Sequence, residues 1–141
     1  MTTKTIVSLR SIHVLRIMLS GIFLVAGVNH LMNVAQTANR ITQANNNGMA
    51  LLFGNPELMV ILSGITMLLA GIAFIIGFKT RWAAVILLAV LIPITLTIQV
   101  GQANTLGPLF KNIAIMGGLL FFILNDFTKE KNTKTNALKP N

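Results

Sequence analysis

The 141-residue chain has no cysteine, only two histidines and only three acidic residues. Without cysteine there is no disulfide, no thiol nucleophile and no thiolate metal site. Any redox role therefore runs through something other than dithiol chemistry of its own. The histidines, His13 and His30, fall on one segment that reads as a helix, and their spacing separates them by roughly 25 Å. One metal cannot bind both, and two ligands on one helix cannot face each other across a haem. No paired carboxylates, Ser-His-Asp set or glycine-rich phosphate loop stands in a suitable context. An autonomous catalytic or metal centre is not expected, nor an intrinsic cofactor. Charge is scarce too: 10% of residues carry it, against about a quarter in water-soluble domains.

Apolar residues fill the space, at 54% of the chain with a mean hydropathy of +0.76. They gather in four long stretches with short polar connections. The clearest, Leu58–Phe78, is 21 residues without a charge, and only Ser63 and Thr66 in it carry polar side-chain groups. As a helix it spans roughly 31 Å, the thickness of a hydrocarbon core. The expected fold is all-α: a four-transmembrane-helix bundle with an outer amphipathic segment between helices one and two. Residues 1–127 are expected to form this membrane domain, and 128–141 a disordered, basic cytoplasmic tail.

The pattern predicts a first helix from about Leu9 to Met32. In the polar stretch that follows, Val34, Ala38 and Ile41 fall at helical spacing, which predicts a short surface helix with its apolar side in the membrane interface. Met49–Phe53 is apolar again. Asn55, Pro56 and Glu57 predict the start of the second span, as cap, first-turn proline and dipole-compatible acid. Gly77–Arg81 reads as a tight turn. The third span is expected from about Trp82, an interface anchor, to Gln99, with a kink near Ala89 caused by Pro93. Pro108 is expected to start the fourth, which needs Leu106–Phe110 to reach across. Small pairs (Ser20 with Gly21, Ala26 with Gly27, Ser63 with Gly64, Ala70 with Gly71, Gly117 with Gly118) mark sites of close helix approach.

The net charge of +8 raises nucleic acid as a partner, but its placement argues against it. Lys4, Arg10, Arg16, Lys79, Arg81, Lys129, Lys131, Lys134 and Lys139 share one side of a four-span thread, against Arg40 and Lys111 on the other. That asymmetry predicts both termini in the cytoplasm, with the basic residues forming a lipid-facing collar. Val25-Ala26-Gly27 resembles a signal cleavage site. The apolar run continues past it, so the segment is expected to be retained as a span.

Three motifs carry a family resemblance. The stretch RIMLSGIFLVAGVNH places Arg16, Phe23, Gly27 and His30 as in the opening of DoxX-type membrane proteins, where an Arg is followed seven residues later by Phe, then small residues and a Lys or His. Ala70-Gly71 through Gly77-Phe78-Lys79-Thr80-Arg81-Trp82 resembles the family's second helix, inner turn and third helix. Phe110-Lys111-Asn112 through Gly117-Gly118 resembles its fourth helix. The resemblance implies a four-helix inner-membrane protein of bacterial type. Named members of the family include a small subunit of a thiosulfate:quinone oxidoreductase, and others are linked to membrane redox complexes. The resemblance implies Glu in many relatives where this chain has Met67 and Lys where it has His30; if that Glu takes part in the family's chemistry, this chain lacks its carboxylate.

The remaining polar groups cluster at one expected depth. Asn29 and His30, then Thr95 and Gln99, then Lys111 and Asn112 fall at the outer ends of three spans. Polar groups at membrane depth face the bundle or a wet cavity, so His30, Gln99, Lys111 and Asn112 are candidate ligand-binding residues for a quinone head group or similar polar-headed lipid. The alternative stays open that they are ordinary helix-end residues satisfied by water and head groups. At the inner end, Arg16 either snorkels to head groups or contacts Asp126 or Asn125 to fix the bundle. The expected function is thus an accessory subunit of a quinone-linked membrane redox system, partnered by lipid and by a membrane or peripheral protein or a second copy. The competing expectation is a non-catalytic adaptor or assembly factor.

Overall fold

Ser8 opens the first helix by accepting a hydrogen bond from the Ser11 backbone N–H at 3.1 Å, and α1 runs Leu9–Met32. The computed structural model describes residues 7–44, 48, 54–100 and 103–125. Asn33, at φ −125° and ψ 47°, breaks the helical path, and α2 (Val34–Thr42) starts at once. The predicted stripe is present, with Ala38 buried and Val34 and Ile41 half-buried. It faces α3 (Pro56–Ile76) more than the membrane interface, because a small Ala38 lets the two helices approach. Met49–Phe53 lies outside the described residues.

The predicted start of α3 is as expected: Asn55 Oδ1 accepts from the Glu57 N–H at 2.9 Å, and Pro56 is the first helical residue. The helix ends at Gly77, whose φ of +85° suits a residue without a Cβ. Its N–H donates to Ala73 and Phe74 carbonyls, and Phe78 N–H donates to Ala73. Lys79, also left-handed at φ 43°, completes the reversal into α4 (Thr80–Ile98). Helix α4 continues through Pro93.

A 3-10 turn, Ala103–Thr105, precedes α5 (Leu106–Leu124). This helix starts two residues before Pro108, the expected first residue. A first-turn N–H has no intrahelical acceptor in any case, so proline is tolerated there.

The four long helices, α1, α3, α4 and α5, are each apolar and long enough to cross a bilayer. They pack antiparallel in chain order: α1 on α3, α3 on α4, α4 on α5. The α1–α3 crossing is the closest. A Cβ on Gly27 would stand 2.9 Å from the Gly64 carbonyl oxygen, and one on Gly64 would stand 3.1 Å from that of Gly27. Gly71 against Leu24 and Gly118 against Leu19 are further close approaches, while Gly21 and Gly117 have nothing within 4 Å. Contact between α1 and α5 is thin. The core is centred on Phe23, Phe74, Leu87, Leu119 and Phe122, with the Phe74 and Phe122 rings edge-to-face at 4.9 Å.

Large apolar side chains cover the exterior of all four helices, among them Met18, Val25, Leu69, Ile86 and Leu120. Water would not tolerate so continuous an apolar surface; hydrocarbon does. The chain is a multi-pass membrane protein. Its α1–α2 corner and α4–α5 connection lie at one end of the bundle, here the loop end. Gly77 and the described termini lie at the other, the turn end.

Candidate functional site

The Gly27–Gly64 crossing fixes the register between α1 and α3. Three residues beyond Gly27, about 4.5 Å along the axis, His30 comes opposite Ser63. Its Nδ1 lies 3.0 Å from Ser63 Oγ. The Ser63 hydroxyl donates its one proton to the Val60 carbonyl at 2.9 Å, so it accepts from His30, and Nδ1 carries the hydrogen. In the neutral ring Nε2 is then the bare acceptor. His30 is half-buried, and among the described residues Ser63 is its one side-chain hydrogen-bond partner.

A second pair crosses the α4–α5 seam. Asn112 Nδ2 donates to Thr95 Oγ1 at 2.9 Å, and Thr95 donates to the Leu91 carbonyl at 2.7 Å. Both side chains are buried, at 5% and 3% exposure, so the bond is screened from water and head groups. One turn beyond Thr95, Gln99 holds its Oε1 buried, with no hydrogen-bond partner among the described residues. The Gln99 backbone carbonyl accepts from Thr105 Oγ1 at 2.8 Å, tying the connection to the end of α4.

Lys111 is placed differently from its neighbour. It is exposed, because consecutive helical residues point about 100° apart, and Asn112 takes the inward direction. Asn29 is exposed and accepts from Asn33 Nδ2 at 2.8 Å. No hydrogen bond among the described residues joins the His30 and Asn112 pairs. The loop end thus carries two separate interhelical pairs and a buried acceptor.

Arg16 lies at the turn end with its guanidinium against Gly77: a Cβ there would stand 2.6 Å from Nη1. Asn125 donates to the Phe121 carbonyl at 2.8 Å, and Asp126 lies outside the described residues. Met67 is in the core, 3% exposed. Among the described residues no three His, Asp or Glu side chains gather as a metal ion would need.

The DoxX family model matches residues 11–100. The chain belongs to the DoxX family. The match runs from the first turn of α1 to the end of α4, so Arg16, His30, Ser63, Met67, Thr95 and Gln99 all fall within it. Helix α5 of this DoxX protein, with Lys111 and Asn112, lies beyond the matched residues. No curated protein and no solved structure matches the chain.

Sequence reasoning singled out Thr95 but not its bond to Asn112, and Ser63 only as a small residue. The glycine spacing carried a usable signal: pairing Gly27 with Gly64 in antiparallel register brings residue 30 opposite residues 60–63. The Arg16–Gly77 contact follows from the same register.

The buried pair gives a stability prediction. Thr95→Val leaves the Asn112 amide buried beside a methyl, which costs about 1–3 kcal/mol. Combining it with Asn112→Leu removes both polar groups and should recover most of that loss. Thermal unfolding in detergent of the two single variants and the double checks this; strictly additive losses would show that the pair is not coupled.

Proposed function

We propose that this DoxX-family protein is a small accessory subunit of a quinone-linked redox system in a bacterial-type cytoplasmic membrane, with both termini cytoplasmic and the loop end at the outer leaflet. The orientation is supported by the basic residues near the turn end, Arg10, Arg16, Lys79 and Arg81. The observation that carries the ligand reading is that the same end of the bundle holds both His30, whose Nε2 has no hydrogen bond among the described residues, and the buried Gln99 Oε1, likewise without one. Both accept hydrogen bonds, and a quinol offers two hydroxyl donors on an apolar ring. His30 also takes up and returns a proton. Thr95 and Asn112 hold the α4–α5 seam closed beside them, and exposed Lys111 snorkels to head groups at that end. The chain's own side chains offer hydrogen bonds and a proton site; electron transfer belongs to a partner subunit.

Titration of the purified protein with a short-chain quinol tests the ligand reading, followed through the imidazole resonances of His30. Trp82 is unsuited as a reporter, lying about 20 Å along α4 from Thr95. Saturable shifts are expected, with affinity reduced roughly fivefold in Gln99→Leu, which keeps the His30 ring as reporter and loses one hydrogen bond. Unperturbed resonances at saturating quinol would overturn it.

One observation favours the adaptor reading. Ala114 and Gly117 are exposed on α5, and Gly117 has nothing within 4 Å, leaving a shallow place where another transmembrane helix fits closely. Normal physiological activity in His30→Ala with Lys111→Ala would favour that reading over the redox one.

A further inference from the structure

The turn end holds a cation that makes no side-chain hydrogen bond among the described residues. Arg16 is half-buried, its Nε has no partner and no access to solvent, and no hydrogen bond to its guanidinium exists among the described residues. The group is wedged against the left-handed Gly77, the one residue type that leaves it room. It therefore sits at the negative end of the α3 dipole. That partial charge attracts it, while the Ala73 and Phe74 carbonyls receive the Gly77 and Phe78 N–H. Glu57, the acidic residue among those described, sits in the first turn at the far end of the same helix, about 30 Å away. A planar fork of donors held in this way calls for a tetrahedral or planar oxyanion.

The surroundings say which kind. Lys79 and Arg81, both exposed, follow Gly77 in the same turn. Phe78 and Trp82 are exposed at 64% and 67%, and exposed aromatics of this kind sit at head-group level. Just below them Ile76 and Ile72 present an apolar face. Cations at head-group level above an apolar wall match one amphiphile: phosphate in the fork, acyl chains against the helices. We propose that Arg16, with Lys79 and Arg81 around the Gly77 turn, forms a binding site for the phosphodiester head group of an anionic phospholipid. This site lies at the opposite end of the bundle from the proposed quinol site and does not depend on it.

Native mass spectrometry of the full chain, released from detergent and titrated with phosphatidylglycerol or phosphatidylcholine, tests the proposal. Wild type should retain one phosphatidylglycerol in preference to phosphatidylcholine. Arg16→Gln should lose roughly tenfold in that retention, the worth of one charge-assisted pair, and Arg16→Lys should lose less. Millimolar inorganic phosphate should not displace the lipid; displacement would assign the site to a free anion and overturn the lipid reading. Asp126→Asn distinguishes an internal partner: unchanged or stronger lipid retention supports the proposal. Should Arg16→Gln fail to fold, wild type decides alone, because equal retention of the two lipids overturns the proposal.

Discussion

Gly27→Val is expected to unfold or severely destabilise the protein, whereas Gly21→Val on the same helix should be nearly silent. The Cβ at position 27 would meet the Gly64 carbonyl oxygen at 2.9 Å and Leu68 Cγ at 2.9 Å. A leucine tip can rotate aside, but a backbone carbonyl inside a helix cannot, so α1 and α3 have to separate. Overpacking of a core costs about 1–3 kcal/mol, and a collision with backbone belongs at the top of that range. Separating these helices also pulls His30 away from Ser63. Position 21 has nothing within 4 Å, so the same substitution there should stay within about 0.5 kcal/mol. Thermal unfolding of both variants in mild detergent, followed by circular dichroism, gives the comparison. Similar losses at the two sites would mean that the glycine crossing is not where the structure puts it.

Met67 supplies the second large effect. Its side chain is 3% exposed and belongs to the same cluster as Phe23, Phe74, Leu87 and Leu91. Met67→Leu conserves volume and should cost less than about 1.5 kcal/mol. Met67→Gln buries an amide at about 1–3 kcal/mol, and Met67→Glu adds the penalty of an unpaired charge, for a total of at least about 3 kcal/mol. The expected order of melting temperatures is therefore wild type, Leu, Gln, Glu. If the Glu variant matched wild type, a partner able to hold a carboxylate must lie within reach of position 67.

Much of the fold was legible because its signals are local. Asn55 caps α3 where the sequence predicts and α1 spans the predicted Leu9–Met32, and the run from Leu58 to Phe78 is apolar beyond any other reading. The start of α5 was missed by two residues because a proline within the first turn is compatible with several registers. Legibility fell at the site for a different reason. Helix α5 is apolar on nearly every side, so periodicity does not say whether Lys111 or Asn112 faces the bundle. Packing against Thr95 decides it. The pairing of Arg16 with Gly77 was likewise invisible to composition, since it needs the helix register and the handedness of one glycine together.

Each extensive interface in this bundle joins two spans that follow one another in the chain. A ribosome delivering such a polypeptide supplies every helix with its neighbour as soon as the next span enters the bilayer. Assembly can then proceed hairpin by hairpin, with little entropy spent on closing distant loops. The exception is α5, whose Phe122 must reach back to Phe74 and whose Gly118 must find Leu19. Truncation before α5 would therefore leave the earlier helices paired while stripping one wall from the aromatic core.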